Sequence, residues 1–251
     1  MNKLTGKVAV ITGGNSGIGY ATAQAYKEAG ASVIITGRSQ DNIDNAAHTL
    51  GVQGIVADVT DLTALDVLVE QVAKQHKKID VLFVNAGIFA PALVGQVSES
   101  MFDNQMAVNF KGAVFTIEKF LPVLSDGASI INLSSINAYT GMPTTAIYAA
   151  SKAALNAYTR TAATELAPRN IRVNAINPGP VETPIFSKTG LSVEQLTELS
   201  SAIQSKIPLK RFGQPSDIAK LATFLASDDA SFITGSEYNI DGGLNINAIL
   251  S

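Results

Sequence analysis

Tyr148 and Lys152 stand four residues apart in the stretch IYAASKAALN, residues 147–156. Residues at this spacing share one face of an α-helix, with Cβ atoms about 5–6 Å apart. Their neighbours are mostly Ala and Ser, which leaves that face accessible to a ligand. A phenol beside an ammonium can exchange a proton with a bound molecule, because a cation within about 4–6 Å lowers the pKa of an acidic group by roughly 1–3 units. The alternative is an ordinary helix surface with a packed ring and a solvated amine.

A second stretch with chemical meaning is the glycine-rich turn ITGGNSGIG, residues 11–19. Gly13, Gly17 and Gly19 permit positive φ and lack the Cβ atoms that would keep a backbone away from a ligand. The helix that begins here offers unpaired N–H groups and its positive dipole end to a pyrophosphate. The G-x-x-x-G-x-G spacing differs from the usual G-x-G-x-x-G. Its place between the first strand and the first helix nevertheless indicates dinucleotide binding.

The end of the next strand-like run, ITGRSQ, bears on which dinucleotide binds. A carboxylate near this position would bind the 2′-hydroxyl of NAD, whereas an arginine accepts the 2′-phosphate of NADP. Here Gly37 is followed by Arg38 and Ser39, and the guanidinium can meet a phosphate with two hydrogen bonds. Asn15 adds no positive charge. We therefore predict NADP(H) as the preferred cofactor, with NAD(H) possible and a merely solvated Arg38 as the alternative.

The composition of the chain excludes several classes of protein. The 251 residues are 46% hydrophobic and 16% charged, which indicates a folded chain with a substantial core. A net charge of −3 provides no basic surface for nucleic acid or an anionic membrane. The lack of Cys excludes disulfides and thiol catalysis, and we expect His48 and His76 to be surface residues. The first residues form no long apolar stretch, so we expect a cytoplasmic protein, and we expect no metal site.

Alternating strand-like and helical segments must position the candidate residues. The predicted strands are KVAVIT (7–12), SVIITG (32–37), VQGIVAD (52–58), DVLFVNAG (80–87), ASIINLSS (128–135), RVNAINPGP (172–180) and SEYNID (236–241). The predicted helices span about 19–30, 41–50, 62–78, 99–124, the segment of Tyr148, 193–206 and 215–225.

Apolar runs separated by helices predict a parallel sheet that is covered on both faces. We therefore expect an α/β fold, with a Rossmann-like, doubly wound, seven-stranded sheet in a single domain over residues 1–251. One segment, 183–212, follows a strand but reaches the next core helix only after about thirty residues, and insertions of this kind are often lids or binding loops. We predict that it binds substrate; a loop without function is the alternative.

The stretches TGGNSGIG, NAG at 85–87 and YAASK at 148–152 together resemble the short-chain dehydrogenase/reductase family, in its compact single-domain branch. INPGPVETP (176–184) and FITGSEYNIDGG (232–243) are similar to two further segments of that family. The likeness therefore extends over nearly the whole chain.

The resemblance implies a cofactor site that continues from the glycine turn along the strand ends. It places Asp58 and Val59 beside the adenine, residues 85–87 beneath the cofactor, and Ile176 with four later residues at the nicotinamide end. The predicted cofactor-binding residues are Gly13, Asn15, Ser16, Gly17, Ile18, Gly19, Arg38, Ser39, Asp58, Val59, Asn85, Ala86, Gly87, Tyr148, Lys152, Pro178, Gly179, Val181 and Thr183.

The resemblance also implies a catalytic set of Asn109, Ser135, Tyr148 and Lys152. Tyr148 would give a proton to the carbonyl oxygen in reduction and accept it in oxidation. Free tyrosine has a pKa near 10, and we expect Lys152 to lower it, assisted by an oxidised nicotinamide ring. Ser135 would hold the substrate oxygen, and Asn109 would anchor a water next to the lysine.

The expected substrate is a small molecule with a carbonyl or alcohol group. We predict reversible, NADPH-dependent reduction of a small, largely apolar ketone. The alternatives are an NAD-linked alcohol or polyol dehydrogenase, a 3-oxoacyl-thioester reductase and, outside enzymes, a dinucleotide-sensing regulatory protein. The resemblance further implies a homo-oligomer, a dimer of dimers. The predicted pocket residues are Ile88, Phe89, Asn137, Tyr139, Ile185 and Phe186.

Overall fold

Short runs rich in Val and Ile form the strands, as their alternation with helical segments predicts. The computed structural model describes residues 2–183 and 193–246, excluding the side chains of 193–196. Within these ranges the strands are β1 Val8–Thr12, β2 Ser32–Gly37, β3 Gln53–Val56, β4 Ile79–Val84, β5 Leu124–Leu133, β6 Arg172–Pro178 and β7 Glu237–Ile240.

All seven strands belong to one parallel sheet in the order β3-β2-β1-β4-β5-β6-β7. The order reverses between β1 and β4, because the chain builds outward from β1 to β3 and then returns to the other side. In an open parallel sheet the carboxyl ends of the strands at this reversal form the usual ligand crevice. The predicted α/β, doubly wound fold is confirmed.

The helices lie on both faces of the sheet. They are α1 Gly17–Glu28, α2 Gln40–Leu50, α3 Leu62–Gln75, α4 Glu99–Met106, α5 Gly112–Phe120, α6 Ala146–Leu166, α7 Val193–Lys206 and α8 Pro215–Ala226. α3, α5 and α6 pack against one face, while α1, α2 and α8 pack against the other.

Each face of the sheet has its own apolar core, because neighbouring side chains in a strand point to opposite faces. In β4, Leu82 and Val84 belong to the cluster with α3, α5 and α6, whereas Val81 and Phe83 belong to the cluster with α1, α2 and α8. Burial on both faces explains why the strands are continuously apolar instead of alternating.

The long helix predicted over 99–124 is wrong as one element. It is interrupted by a π-helical turn at Ala107–Lys111 and ends at Phe120, after which β5 begins at Leu124 instead of 128. In the π turn the N–H of Gly112 bonds to the carbonyl of Ala107. Such widened turns occur often at functional sites, and this one contains Asn109, described below.

Two backbone hydrogen bonds join the residues just before segment 183–212 to the residue just after it. Glu182 N donates to the carbonyl of Gly213 and Gly213 N donates to the carbonyl of Pro180, both at 2.9 Å. These two bonds hold the start and the end of the excursion side by side. Its described part includes α7, and the chain then enters α8.

The remaining surface predictions can be compared directly with the structure. His48 is exposed, and His76 is partly exposed at the end of α3. Among the described residues no group of three or more His, Cys, Asp or Glu side chains could hold a metal ion. None of the described helices has the length and apolar character needed to cross a membrane.

Candidate active site

A cavity of about 450 Å³ lies at the carboxyl ends of the strands, beside the reversal of strand order. We refer to it as the cleft. It runs from the tip of β2, past the ends of β1 and β4, to the start of α6 and the end of β6. The cleft brings together most of the residues that the sequence singles out.

The floor of the cleft is formed where the glycine turn meets the end of β4. Gly13 and Gly17 have φ of 65° and 54°, which favours glycine. A Cβ on Gly13 would lie 2.9 Å from Asn85 Nδ2. Asn85 Nδ2 donates to the carbonyls of Thr12 (2.8 Å) and Gly13 (3.0 Å), while Thr12 Oγ1 accepts from the N–H groups of Asn85 and Ala86. These bonds end β4 at Val84 instead of 87, and they lock the two strand ends together.

The first turn of α1 borders the cleft. Ser16, Gly17 and Ile18 line it, and the Ser16 side chain makes no capping hydrogen bond to the helix. The first turn carries no acidic residue, so the positive end of the helix is available to an anion. Gly19 does not line the cleft. It is buried beneath the turn, where a Cβ would overlap the carbonyl oxygen of Gly13 and lie 2.5 Å from Asn85 Nδ2.

The tip of β2 forms one end of the cleft. Gly37, Arg38 and Ser39 line it together with Asn15, and Arg38 is exposed. Within the described ranges Arg38 has no ion-pair partner. Asn42, in the first turn of α2, also lines this end and was missed. Its position one turn after Arg38 could have identified it.

The adenine side predicted from the resemblance follows β3. Asp58 and Val59 line the cleft. Asp58 Oδ1 accepts hydrogen bonds from Thr60 N (2.9 Å) and Thr60 Oγ1 (2.8 Å), which fixes the carboxylate in place. Ala57 N donates to the carbonyl of Gly37, so this wall is joined to the tip of β2.

Lys152 extends from α6 beneath the cleft and is only 3% exposed. Its Nζ lies 5.8 Å from the centre of the Tyr148 ring and donates to the carbonyl of Leu133 at 2.7 Å. Burial lowers the pKa of Lys152 from 10.5 to about 8. The ammonium is therefore still mostly charged at neutral pH.

Tyr148 faces the same part of the cleft, with its ring edge-to-face against Phe89 at a centroid distance of 5.2 Å. Burial raises the pKa of the phenol, and a hydrogen bond with Ser135 acts against that rise. The expectation that Lys152 brings the pKa of Tyr148 below its ordinary value is wrong for the protein groups alone. Desolvation is the larger effect, so the phenol keeps its proton at neutral pH.

Ser135 is held next to Tyr148 by the end of β5. It is the N-cap of a 3₁₀ turn, Ile136–Ala138, and its Oγ accepts from Asn137 N at 3.1 Å. Ser135 lines the cleft, and its hydroxyl can turn from Tyr148 to an oxygen placed there.

Asn109 lies in the π turn and is fully buried. Its Oδ1 accepts from Ile88 N (2.8 Å), and its Nδ2 donates to the carbonyl of Ile88 (2.9 Å) and to Ser151 Oγ (3.2 Å). Asn109 does not line the cleft, because its carboxamide is used to join the segment after β4 to α6. Both amide hydrogens are occupied, so the side chain can bind a water only as an acceptor through Oδ1. A Cβ on Gly87 would lie 3.4 Å from Asn109 Oδ1 and 3.6 Å from Lys152 Nζ.

The end of the cleft that is predicted to hold the nicotinamide and the substrate agrees with the sequence in part. Pro178, Gly179, Val181 and Thr183 line it, as do Ala86 and Gly87 and the predicted pocket residues Ile88, Phe89 and Asn137. Ile176 does not line it, because this residue is inside β6 and packs in the core. Ile185 and Phe186 lie outside the described residues.

Tyr139 does not line the cleft either. Its hydroxyl is held by Asn156 and Asn177 instead.

The lining residues that sequence reasoning missed, in addition to Asn42 and Gly37, are Ala57, Val108, Leu133, Ser134, Ile136, Met142, Thr145, Pro180 and Ile203. Met142 and Thr145 stand between Ser135 and Tyr148, so proximity in sequence could have identified them. Ile203 is on α7 and could be found only from the fold.

Comparisons with known proteins agree with the geometry. The family model described as enoyl-(acyl carrier protein) reductase matches residues 13–245. The chain is 41% identical to the 3-oxoacyl-(acyl-carrier-protein) reductase FabG of Thermotoga maritima, over 97% of this chain and 100% of that protein. It is 33% identical to the NADP-dependent (R)-specific alcohol dehydrogenase of Lentilactobacillus kefiri, over 96% of this chain and 98% of that protein.

A solved structure shares the fold over its whole length. The short-chain dehydrogenase/reductase from Serratia marcescens superposes with a TM-score of 0.89 and 32% sequence identity, covering 97% of this chain and 99% of that chain.

Proposed function

This chain belongs to the short-chain dehydrogenase/reductase family of oxidoreductases, and from that premise we propose that it is an NADPH-dependent reductase of small, largely apolar ketones. The observation that carries the proposal is the convergence of Ser135, Tyr148 and Lys152 at one end of a cleft whose other end is formed by Arg38.

The residues of the cleft fit a bound dinucleotide. At Gly13 and Gly17 the backbone has positive φ, and at Gly13 a Cβ would leave no room above Asn85. The adjoining end of α1 provides N–H groups and a positive dipole for the pyrophosphate. The exposed guanidinium of Arg38 would bind the 2′-phosphate, with Ser39 and Asn42 as further hydrogen-bonding groups. NADPH supplies the hydride when bound.

Tyr148 and Ser135 would complete the reduction by acting on the carbonyl oxygen. The oxygen that becomes an alkoxide needs a proton, and the buried phenol of Tyr148 retains one at neutral pH. The hydroxyl of Ser135 would donate a hydrogen bond to the same oxygen, and removing one such donor typically costs about 3–4 kcal/mol of transition-state stabilisation. After the transfer Tyr148 is a phenolate, which the neighbouring ammonium of Lys152 stabilises. Oxidation of the alcohol uses these steps in reverse.

The side chains around the substrate end favour an apolar ketone. Phe89, Met142 and Ile203 supply apolar surface, while Asn137 and Thr145 supply polar groups. Apart from Lys152, the described lining of this end contains no charged side chain that would bind a phosphate or carboxylate group. Pockets of this kind position a substrate by shape and a few hydrogen bonds.

We also propose that segment 183–212 takes part in substrate binding. The bridge between Val181 and Gly213 holds the start and the end of this segment together, and Ile203 of α7 lines the cleft. A homo-oligomer, a dimer of dimers, remains a prediction that the mass of the purified protein in solution would test.

The proposal is tested by following NADPH oxidation with a panel of ketones. The panel contains an aryl alkyl ketone, a medium-chain aliphatic ketone and a 3-oxoacyl thioester, each also assayed with NADH, and polyol oxidation is assayed with NAD⁺. We expect the highest kcat/KM with NADPH and an apolar ketone. Highest activity on the thioester, or on a polyol with NAD⁺, would replace the proposed substrate class. Cofactor binding without any turnover would favour a dinucleotide sensor.

Two variants accompany the panel. Tyr148→Phe should lower kcat by about 10²–10⁴ while NADPH still binds, because only the proton donor is removed. Equal turnover by the wild type and Tyr148→Phe would refute the assignment of the acid. Arg38→Ala should weaken NADPH far more than NADH, and unchanged discrimination would mean that the 2′-phosphate is bound by other residues.

A further inference from the structure

Tyr139 occupies an unusual position for a residue that follows the serine segment. Its side chain is 51% exposed, yet its hydroxyl reaches two carboxamides that are 2% (Asn156) and 0% (Asn177) exposed. Asn156 Nδ2 donates to Tyr139 Oη at 3.0 Å, and Asn177 Nδ2 donates to it at 3.2 Å. The ring therefore lies at the surface, while its polar end is buried.

The three residues come from three different elements near the cleft. Tyr139 ends the turn that begins at Ser135, Asn156 is two helical turns after Tyr148 on α6, and Asn177 directly precedes Pro178 at the end of β6. Asn177 Nδ2 also donates to Asn239 Oδ1 on β7 at 3.1 Å. The Tyr139 hydroxyl thus connects the turn that begins at Ser135 to α6, which carries Tyr148, and to the end of β6.

Two backbone hydrogen bonds within the turn link Tyr139 to Ser135. Ala138 N donates to the carbonyl of Ser135 at 3.1 Å, and Tyr139 N donates to that of Ile136 at 2.9 Å. One short turn therefore separates the anchored residue from the serine. A turn held at both ends has little freedom to shift Ser135 relative to Tyr148.

The buried carboxamides are arranged for a phenol. Asn156 Oδ1 and Asn177 Oδ1 are buried and have no hydrogen-bond partner among the described residues. Rotating either carboxamide by 180° would present an acceptor to the hydroxyl proton of Tyr139, which can donate one bond and accept two. Replacing the phenol by an apolar ring would leave two buried carboxamides without this partner.

We propose that Tyr139 is a positioning residue, whose hydroxyl fixes the Ser135 turn to α6 and β6 so that Ser135 and Tyr148 address one substrate oxygen. This role rests on the proposed carbonyl reduction. Tyr139 does not line the cleft, so we expect it to act through Ser135.

The test compares Tyr139→Phe with the wild type in ketone reduction. Misplacement of a catalytic group by a fraction of an ångström lowers kcat, and we expect a decrease of about tenfold. The two bonds that Asn156 and Asn177 donate to Tyr139 Oη are referred to as the clamp. The KM for NADPH should stay within about twofold, because the glycine turn and Arg38 are remote from the clamp. The hydrogen bond of Ser135 lowers the pKa of Tyr148, so the pH profile of alcohol oxidation should shift to higher pH in the variant. A residue with a merely structural role would not move this profile.

Two further variants make the comparison sharper. Asn156→Ala removes one of the two bonds that Tyr139→Phe removes, and the double variant should be no slower than the slower single variant, because residues acting through one contact are not additive. Tyr158→Phe is the matched control. Tyr158 lies on α6 with Asn156, and its hydroxyl donates to Glu118 Oε1 at a distance of 3.1 Å. This bond does not involve the clamp, so the kcat of Tyr158→Phe should equal that of the wild type.

Hydrogen exchange separates the clamp from the proposed function. The amides of Ala138 and Tyr139 should exchange faster in Tyr139→Phe than in the wild type, whether or not a ketone is turned over. If Tyr139→Phe has the kcat, the pH profile and the exchange rates of the wild type, the positioning role of Tyr139 is refuted. A wild type without carbonyl reductase activity would refute the proposed function, and faster exchange in the variant would then still establish the anchor of the turn.

Discussion

Replacing the buried lysine by methionine gives a quantitative test of the electrostatics of the cleft. Lys152→Met keeps a side chain of similar length and removes the charge. We expect kcat for ketone reduction to fall by at least about 10², because no cation remains beside the phenolate that forms on Tyr148. We also expect the variant to gain stability relative to the wild type at neutral pH, since the ammonium is buried at a cost in desolvation.

The size of this effect follows from the shift in pKa. Lowering the pKa of Lys152 from 10.5 to about 8 corresponds to about 3 kcal/mol, at 1.36 kcal/mol per unit. Below about pH 8 the lysine is charged in both the folded and the unfolded chain, and the full penalty is present. Between about pH 8 and 10.5 the unfolded chain binds more protons than the folded chain, so the stability of the wild type rises with pH. Lys152→Met lacks this contribution.

The assay is urea unfolding at a fixed protein concentration between pH 7 and pH 10. The free energy of unfolding of the wild type, relative to Lys152→Met, should rise by about 2–3 kcal/mol across this range. Titrating groups away from Lys152 are common to both proteins and cancel in the difference. Lys77→Met, at an exposed position, controls for the added methionine. Parallel pH profiles for the wild type and Lys152→Met would refute the argument that burial lowers the pKa of this lysine.

Two further predictions concern proton transfer and the glycine turn. Because Lys152 loses its proton near pH 8, the phenolate that forms on Tyr148 during ketone reduction loses its stabilising cation, and reduction should fall above about pH 8. Initial rates of reduction measured from below to above pH 8 would check this, and reduction that rises with pH would contradict it. Gly19→Ala should lower the stability by about 1–3 kcal/mol and weaken NADPH binding, because a Cβ there overlaps the Gly13 carbonyl. Gly141→Ala, where a Cβ meets nothing within 4 Å, is the control, and thermal melting with NADPH titration measures both effects.

The local signals in the sequence predicted most of the sheet. The strand predicted over 32–37 and the helix predicted over 193–206 have these bounds in the structure. Both are set by apolar periodicity and by flanking glycine or polar residues, which are local properties. The interruption of the predicted 99–124 helix was not accessible in this way, since no local signal marks it; Asn109 in the π turn bonds to Ile88, 21 residues earlier.

The candidate site also contains some features that the local sequence predicts and others that depend on distant contacts. Residues on the glycine turn and after β4 could be placed in the cleft from their position at strand ends. The pKa of Tyr148, the direction of the Tyr139 hydroxyl and the place of Ile203 depend on which distant elements pack together. Tyr139 in particular was expected to face substrate because it follows Ser135 closely, but its hydroxyl bonds to α6 and β6.

The bridge between Val181 and Gly213 has a consequence for altering the enzyme. Segment 183–212 begins and ends at adjacent points of the fold. We therefore expect that it can be replaced as a unit while the register of the strands in the sheet is kept. We expect grafts between these two junctions to alter which substrate is accepted while leaving the proposed part of Arg38 in coenzyme choice as it was.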